Sequence, residues 1–195
     1  MSATTQSRHL HLSDQGPIIG PVKRHASFPP VVDSKTEILI LGSLPGVASL
    51  AAGRYYAHPQ NQFWRLLGAV LGVDLPALPY DERLAALLTH RVGLWDVIAD
   101  AERTGSLDTA IRNHAPNDLQ GLVASLPTLR TICFNGGTAA RIGDAQLGGL
   151  APRFHLIRLP SSSPAHGVRF ESKLEVWRTL ARPCPTSVCS VNVLR

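Results

Sequence analysis

The chain is short of the covalent devices that staple small secreted domains. Its three cysteines, Cys133, Cys184 and Cys189, are odd in number and contain no C-x-x-C pair. That excludes a cysteine framework of two or more bridges and a four-cysteine iron–sulfur site. Cys133 lies in an apolar run and reads as core. No apolar run approaches the roughly eighteen residues of a membrane span. The polar, Ser-, Thr- and His-containing stretch from Met1 to Gln15 has no apolar segment of the kind a secretory signal needs, so the expected location is the cytoplasm. Three catalytic signatures are also missing. Without G-x-x-x-x-G-K-[ST] a P-loop nucleotidase is excluded, and without G-x-S-x-G so is an esterase elbow. Without H-E-x-x-H or a comparable ligand cluster no metal site is expected.

What is present suits one domain. The 195 residues, 44% of them apolar, can bury a core without staples. The net charge of +5 and a pI near 9.6 favour a polyanionic partner through counterion release. The basic residues are scattered, however, so charge by itself selects no partner. Residues 1–35 contain Pro17, Pro21, Pro29 and Pro30 and little periodicity, which predicts an extended or mobile N-terminal arm. Residues 36–182 form the expected domain, and 183–195 read as a C-terminal tail.

Within the domain, strand and helix patterns alternate. Glu37 to Leu41 is a short β-branched and leucine run ending at Gly42. Phe63, Leu66, Leu67, Val70 and Leu71 recur at helical spacing and predict an amphipathic helix over 61–71. A second helix is expected from Asp81 to Thr89, and a weaker strand over Arg91 to Trp95. Pro116-Asn117-Asp118 opens a helix carrying Leu119, Leu122, Val123 and Leu126. Thr131 to Phe134 is a strand, with a helix starting near Gly137. His155 to Leu159 is the fourth strand, and Phe170, Leu174, Trp177 and Ala181 line a last helix. This alternation predicts βαβ units and a mostly parallel sheet.

In such sheets ligands bind beyond the carboxyl ends of the strands. Four loops fall there: Gly42-Ser43-Leu44-Pro45-Gly46, Trp95-Asp96, Asn135-Gly136-Gly137 and the run from Pro160 to Ala165. Small residues let a ligand approach backbone amides closely. The first loop runs on into Tyr55 to Trp64, where aromatic rings alternate with amide side chains. A base taken out of a helix needs that combination, a π-face to lie on and donors and acceptors at its edge.

Seven segments in order resemble the hypoxanthine-DNA glycosylase branch of the uracil-DNA glycosylase superfamily. They are Ile38 to Gly46, Ser49-Leu50, the Tyr55-Tyr-Ala-His-Pro-x-Asn-x-Phe-Trp64 stretch, Gly93 to Val97, Glu102-Arg-x-Gly-Ser-Leu-Asp108, Phe134-Asn-Gly136 and Leu159 to Ala165. The resemblance spans about residues 36–180. It implies a three-layer α/β/α sandwich with a short, mostly parallel, four-stranded sheet. It also implies a monofunctional base-excision-repair hydrolase that needs no metal or other cofactor and leaves an abasic site. Its partner would be DNA containing a deaminated base, hypoxanthine or uracil, with no membrane; the protein would act as a monomer beside the chromosomal DNA.

Residue by residue, the resemblance makes Gly42, Ser43, Leu44, Pro45 and Gly46 the first catalytic motif, which lines the base pocket. Related branches carry Asp or Asn where Leu44 stands, and leucine cannot hold the attacking water. The resemblance moves that role to Asn61 and gives Tyr56 the stacking face. Phe63 and Trp95 are candidate pocket walls. Ser161, Ser162, Ser163, Pro164, Ala165 and His166 match the second motif, which contacts phosphates and pushes into the duplex, Pro164 and Ala165 forming a small wedge. Plainer readings stand beside these. Asn61 is well placed to cap the helix before Phe63. Asp96, the one carboxylate in the four loops, reads as a catalytic group or as a helix cap or buried partner. Trp95 reads as core as readily as pocket wall, His58 as packing as readily as phosphate donor, and Asn135 as a strand terminator as readily as a base reader. Two other functions remain open at this stage, a lesion-binding protein with little catalysis and a nucleoside or nucleotide hydrolase.

Overall fold

The computed structural model describes residues 24–181. The elements, in chain order, are β1 (Arg24–Ala26), β2 (Ile38–Gly42), α1 (Val47–Ala52), α2 (Phe63–Leu71), α3 (Tyr80–Thr89), β3 (Val92–Asp96), β4 (Ile98–Glu102), β5 (Arg112–Pro116), α4 (Leu119–Ser125), β6 (Thr131–Asn135), α5 (Gly137–Leu147), β7 (His155–Leu159) and α6 (Phe170–Trp177), with short 3-10 turns between some of them. Strands β3-β2-β6-β7 form a parallel sheet in that order. The expected four-stranded sheet is therefore present, with each strand within a residue or so of its predicted span.

Alternation along the strands builds two cores. Leu39 and Leu41 of β2 pack with Ile132 and Phe134 of β6 against α4 and α5, whereas Ile40 packs with Leu94 and Cys133 against α2, α3 and α6. Successive side chains of a strand point to opposite faces, so a run such as Ile-Leu-Ile-Leu must be apolar throughout when helices cover both sides. Burial raises the Cys133 thiol far above its usual range, which keeps it inert. The helix expected to open at Pro116-Asn117-Asp118 is α4, and Asp118 caps it by accepting a hydrogen bond from the Gly121 N–H at 2.9 Å. Among the described residues no helix is long and apolar enough to cross a membrane.

Two features depart from the expectations. A second, antiparallel sheet, β1-β4-β5, was not legible. Its strands are short, charged and half exposed, and β4–β5 pairing shifts register twice. The described part of the N-terminal arm is extended but not mobile. Arg24 pairs with Glu102 and Ala26 with Asp100 in the antiparallel ladder. Val31 bridges Leu94 at the edge of the main sheet, with both N–H···O bonds at 2.9 Å. Phe28 packs edge-on against Tyr55, and its carbonyl accepts from the Trp95 indole at 3.1 Å. The folded unit thus begins no later than Arg24. Residues 1–23 and the tail expected over 183–195 lie outside the described residues.

The sheet order reverses around β2. The chain places β3 on one side of it and then crosses to β6 and β7 on the other. The strand ends stay level, with Gly42 opposite Asp96 and Asn135 opposite Leu159. A crevice outside the carboxyl ends at such a reversal is where open α/β sheets hold ligands.

Candidate active site

A cavity of about 670 Å³ lies at that crevice, within the usual range of about 300–1,000 Å³ for small-molecule sites. All four predicted loops line it, through residues that include Gly42 to Gly46, Asp96, Asn135 and Ser161 to His166. Tyr56 and Asn61 also line it, as do His58 and Ser49.

Tyr56 sits in the left-handed region at φ 52°. That conformation is uncommon for a bulky residue and persists only where its surroundings hold it. Here Phe63 stacks on one ring face, with centroids 3.8 Å apart and planes within 10°. The Asn135 amide donates to the Tyr56 hydroxyl at 3.0 Å. Burial, then the charge of Asp96, push the Tyr56 phenol far above its usual range, so it stays neutral. With one face against Phe63, the ring's remaining surface contributes to the cavity lining.

This corrects the part expected of Phe63. It is fully buried and lies behind Tyr56, so it braces the stacking ring instead of walling the pocket. Trp95 also lies outside the cavity lining. Residues 95 and 96 point to opposite faces of the sheet, and the ring packs in the core with its N–H bound to the Phe28 carbonyl.

Asn61 lines the cavity, and its Oδ1 accepts from the Phe63 N–H at 2.9 Å. The cap position itself is taken by Gln62, which makes no side-chain cap bond, so Asn61 is not the N-cap but the residue before it, holding the first helical N–H. The turn before it is tight, with the Asn61 N–H bound to the His58 carbonyl at 2.9 Å, so its position is fixed by local backbone. The Oδ1 keeps a second lone pair for a water.

Asp96 is 3% exposed, and its Oδ2 has no hydrogen-bond partner. Desolvation, then the neighbouring Asp108, push its carboxyl up to about 8, against the opposing pull of Arg103. The group is thus largely protonated at neutral pH and able to donate. Gly42 makes room for it. A Cβ there would lie 2.5 Å from Asp96 Oδ1 and 3.1 Å from the Tyr56 hydroxyl. Neither neighbour can retreat, one being buried and the other pinned by Asn135 and Phe63. Gly42→Ala is expected to lower stability by about 1–3 kcal/mol, as overpacking does, and to slow turnover as well. A denaturant midpoint matching wild type would show that the site yields.

Several residues absent from the expected site complete it. Arg103, 4% exposed, donates to the Leu44 carbonyl at 3.4 Å and to that of Pro45. Asp108 accepts from the Ser43 hydroxyl at 2.8 Å, and Ser106 Oγ accepts from the Val47 N–H at 3.0 Å. The segment 103–108 thereby fastens the first loop through that loop's carbonyls and hydroxyl. The N–H groups of Ser43 and Leu44 have no acceptor among the described residues. The Arg103-x-Gly-Ser-Leu-Asp108 run carried a signal, a pair of opposite charges bracketing a short loop, but no period in the sequence placed it over Ser43 to Pro45.

Asn135 is a clamp more than a reader. Besides holding Tyr56, its amide donates to Ser162 Oγ at 2.9 Å and its carbonyl accepts from the Ser162 N–H at 2.9 Å. Gly136, at φ 104°, lets Ser161 pass, since a Cβ would meet Ser161 Cβ at 3.1 Å. Ser162 is consequently 1% exposed, its Oγ accepting from Asn135 and its N–H donating to it, although it still lines the cavity. Its carbonyl accepts from the Gln62 N–H at 3.0 Å, tying this loop to the start of α2. Ser161 and Ser163 are half buried, while Pro164, Ala165 and His166 stand exposed at the mouth. The Lys173 ammonium, itself buried, holds the Ser163 carbonyl at 3.3 Å.

An apolar face of base size, amides and a neutral carboxyl at its edge, and a shallow mouth of small residues suit one nucleobase drawn out of a helix. They place the protein among the base-flipping DNA glycosylases. Known proteins point the same way. A family model described as the uracil DNA glycosylase superfamily matches residues 29–181. A hypoxanthine DNA glycosylase of Methanosarcina acetivorans is 41% identical over 155 residues, 80% of this chain and 96% of its own. Another, from Methanosarcina barkeri, is 49% identical over 109 residues, 56% of this chain and 69% of its own. A solution structure of a protein from M. acetivorans, described as a candidate uracil DNA glycosylase, superposes with TM-score 0.73 at 39% identity, covering 82% of this chain and 98% of that one. The chain belongs to the uracil DNA glycosylase superfamily, in its hypoxanthine-DNA glycosylase branch.

Proposed function

We propose that the protein excises a deaminated base, hypoxanthine and uracil being the candidates, from DNA by hydrolysing its N-glycosidic bond. The observation that carries this is the meeting of the Tyr56 ring, Asn61 and Asp96 in one cavity at the sheet edge. The base stacks on Tyr56. As the C1′–N bond breaks, its electron pair leaves with the base and positive charge builds on the sugar. The unengaged N–H groups of Ser43 and Leu44 and the protonated Asp96 donate to the base as it becomes negative. Asn61 Oδ1 accepts from a water and turns its oxygen toward C1′. That oxygen bonds to the sugar carbon, and the proton it sheds neutralises the base. An amide is a poor general base, so the rate comes from positioning and electrostatics.

Both candidate bases present a carbonyl beside an N–H. The relatives named for hypoxanthine favour that base as a substrate. The test is incubation with oligonucleotides carrying hypoxanthine, uracil or xanthine, followed by hot alkali. Scission at hypoxanthine is expected, with the other two reporting how broad the pocket is. Intact strands on all three would overturn the reading. Cleavage of free nucleosides in preference to oligonucleotides would replace it with a nucleoside hydrolase.

A further inference from the structure

A nucleotide that swings into the cavity leaves a gap in the duplex, which refills unless a side chain takes it. The second-motif loop offers little for this. Pro164 and Ala165 are exposed but small. The segment that fastens the first loop offers more. Leu107 lies on the rim of the cavity at 55% exposure, the highest among the large apolar side chains of the described residues. Val47, 46% exposed, donates its N–H to the hydroxyl of Ser106, the residue before Leu107.

The backbone around Leu107 is not free to fold the side chain away. Ser106 is bound to Val47 and Asp108 to Ser43, one residue to either side, and Arg103 anchors the approach to this loop through the Leu44 and Pro45 carbonyls. An exposed leucine lining a base-sized cavity, on a loop fastened at both of its neighbours, fits a partner that is itself apolar and flat. The faces of stacked bases are such a partner, and DNA-bending proteins separate base steps with apolar side chains of this kind. We propose that Leu107 enters the gap left by the flipped nucleotide and keeps it open, with Pro164 and Ala165 supporting it at the mouth. The proposal rests on the glycosylase reading above.

The experiment compares wild type with Leu107→Ala and Leu107→Gln on one lesion placed in duplex and in single-stranded oligonucleotides, under single-turnover conditions. Leu107 is exposed, so unchanged thermal midpoints are expected. Duplex cleavage should fall by about tenfold or more while single-strand cleavage stays within about twofold, because only the duplex has a gap to hold. A bulky polycyclic nucleotide opposite the lesion, which fills the gap itself, should restore the duplex rate. Equal losses on both substrates would make Leu107 a cavity wall and overturn the proposal, as would no loss on the duplex. A second readout does not depend on cleavage. Fluorescence of a 2-aminopurine beside the lesion should rise on binding wild type and rise less with the variants. Wild type that unstacks the probe but cuts nothing would sink the glycosylase reading alone. Wild type and variants unstacking it equally would sink the role of Leu107 alone.

Discussion

Asn61→Ala is expected to lower the single-turnover cleavage rate constant by about 10²–10³-fold, the usual loss on removing one preorganised polar group at the reacting centre. The side chain lines the cavity, but its Oδ1 also binds the Phe63 N–H at 2.9 Å. The two roles differ in what they predict. Loss of that one hydrogen bond costs about 1 kcal/mol of stability, which leaves nearly all the protein folded and cannot by itself slow the chemistry a hundredfold. Asn61→Ser separates them further. A serine oxygen can still reach the Phe63 N–H, so stability should return, but it is too short to hold a water at the sugar carbon and the rate should not. Near-normal cleavage by Asn61→Ala with intact folding would remove Asn61 from the mechanism and leave it a helix-start residue.

Asp96 should give the reaction an alkaline limb. With its carboxyl pushed up to about 8, the protonated donor form dominates at neutral pH and is lost above that value. The wild-type rate constant is expected to stay level below about pH 7 and to fall toward tenfold per unit above about pH 8. Asp96→Asn keeps a donor that does not titrate, so the limb should vanish. Asp96→Ala has no donor and should lose about 10²–10³-fold at neutral pH, a gap that narrows above about pH 8 as the wild type loses its own donor. A rate that rises through pH 8 would mean that the ionised carboxylate is the active form, stabilising the sugar cation.

The same group gives a stability readout that needs no substrate. Its folded-state pKa lies above its unfolded value, so between about pH 4 and pH 8 the native protein binds the extra proton. Stability from this site is therefore intact below about pH 4 and is lost as pH rises to about 8, at up to about 1.4 kcal/mol per pH unit. Asp96→Asn carries no such slope. The difference between its thermal midpoint and that of wild type should grow in its favour across this window and then level off. The groups facing Asp96 are Asp108, Arg103, Tyr55 and Tyr56. Of these, Asp108 raises the Asp96 pKa and Arg103 lowers it, while both tyrosines stay neutral throughout.

Local patterns were enough to find the main sheet. Apolar runs such as Ile38 to Leu41 and helical repeats such as Phe63 to Leu71 encode their own geometry, and strand–helix alternation then leaves only one edge for the four loops. The start of α4 at Asp118 was legible for the same reason, since donor and acceptor of its cap are three residues apart. The β1-β4-β5 sheet was not. Arg24 meets Glu102 across 78 positions, through strands without a two-residue period, since β4 buries Ile98 and Ala101, three residues apart. The docking of the extended arm over 24–35 was not legible for that reason too, because its partners, Leu94, Trp95 and Tyr55, are distant in sequence.

By itself, then, the sequence determined the four-stranded parallel sheet, the edge at which a ligand must sit, and the presence of Tyr56 and Asn61 in one short stretch beside it. The tertiary structure alone decided which of the nearby residues face that ligand. Phe63 turned out to lie behind Tyr56, Trp95 to pack in the core, and Ser162 to be held by Asn135. Arg103 and Asp108 arrived from a segment some sixty residues away to fasten the first loop. The charge on Asp96 was decided there as well. An aspartate in a sequence is an ordinary acid, and only its removal from water beside a second carboxylate makes it a donor at neutral pH.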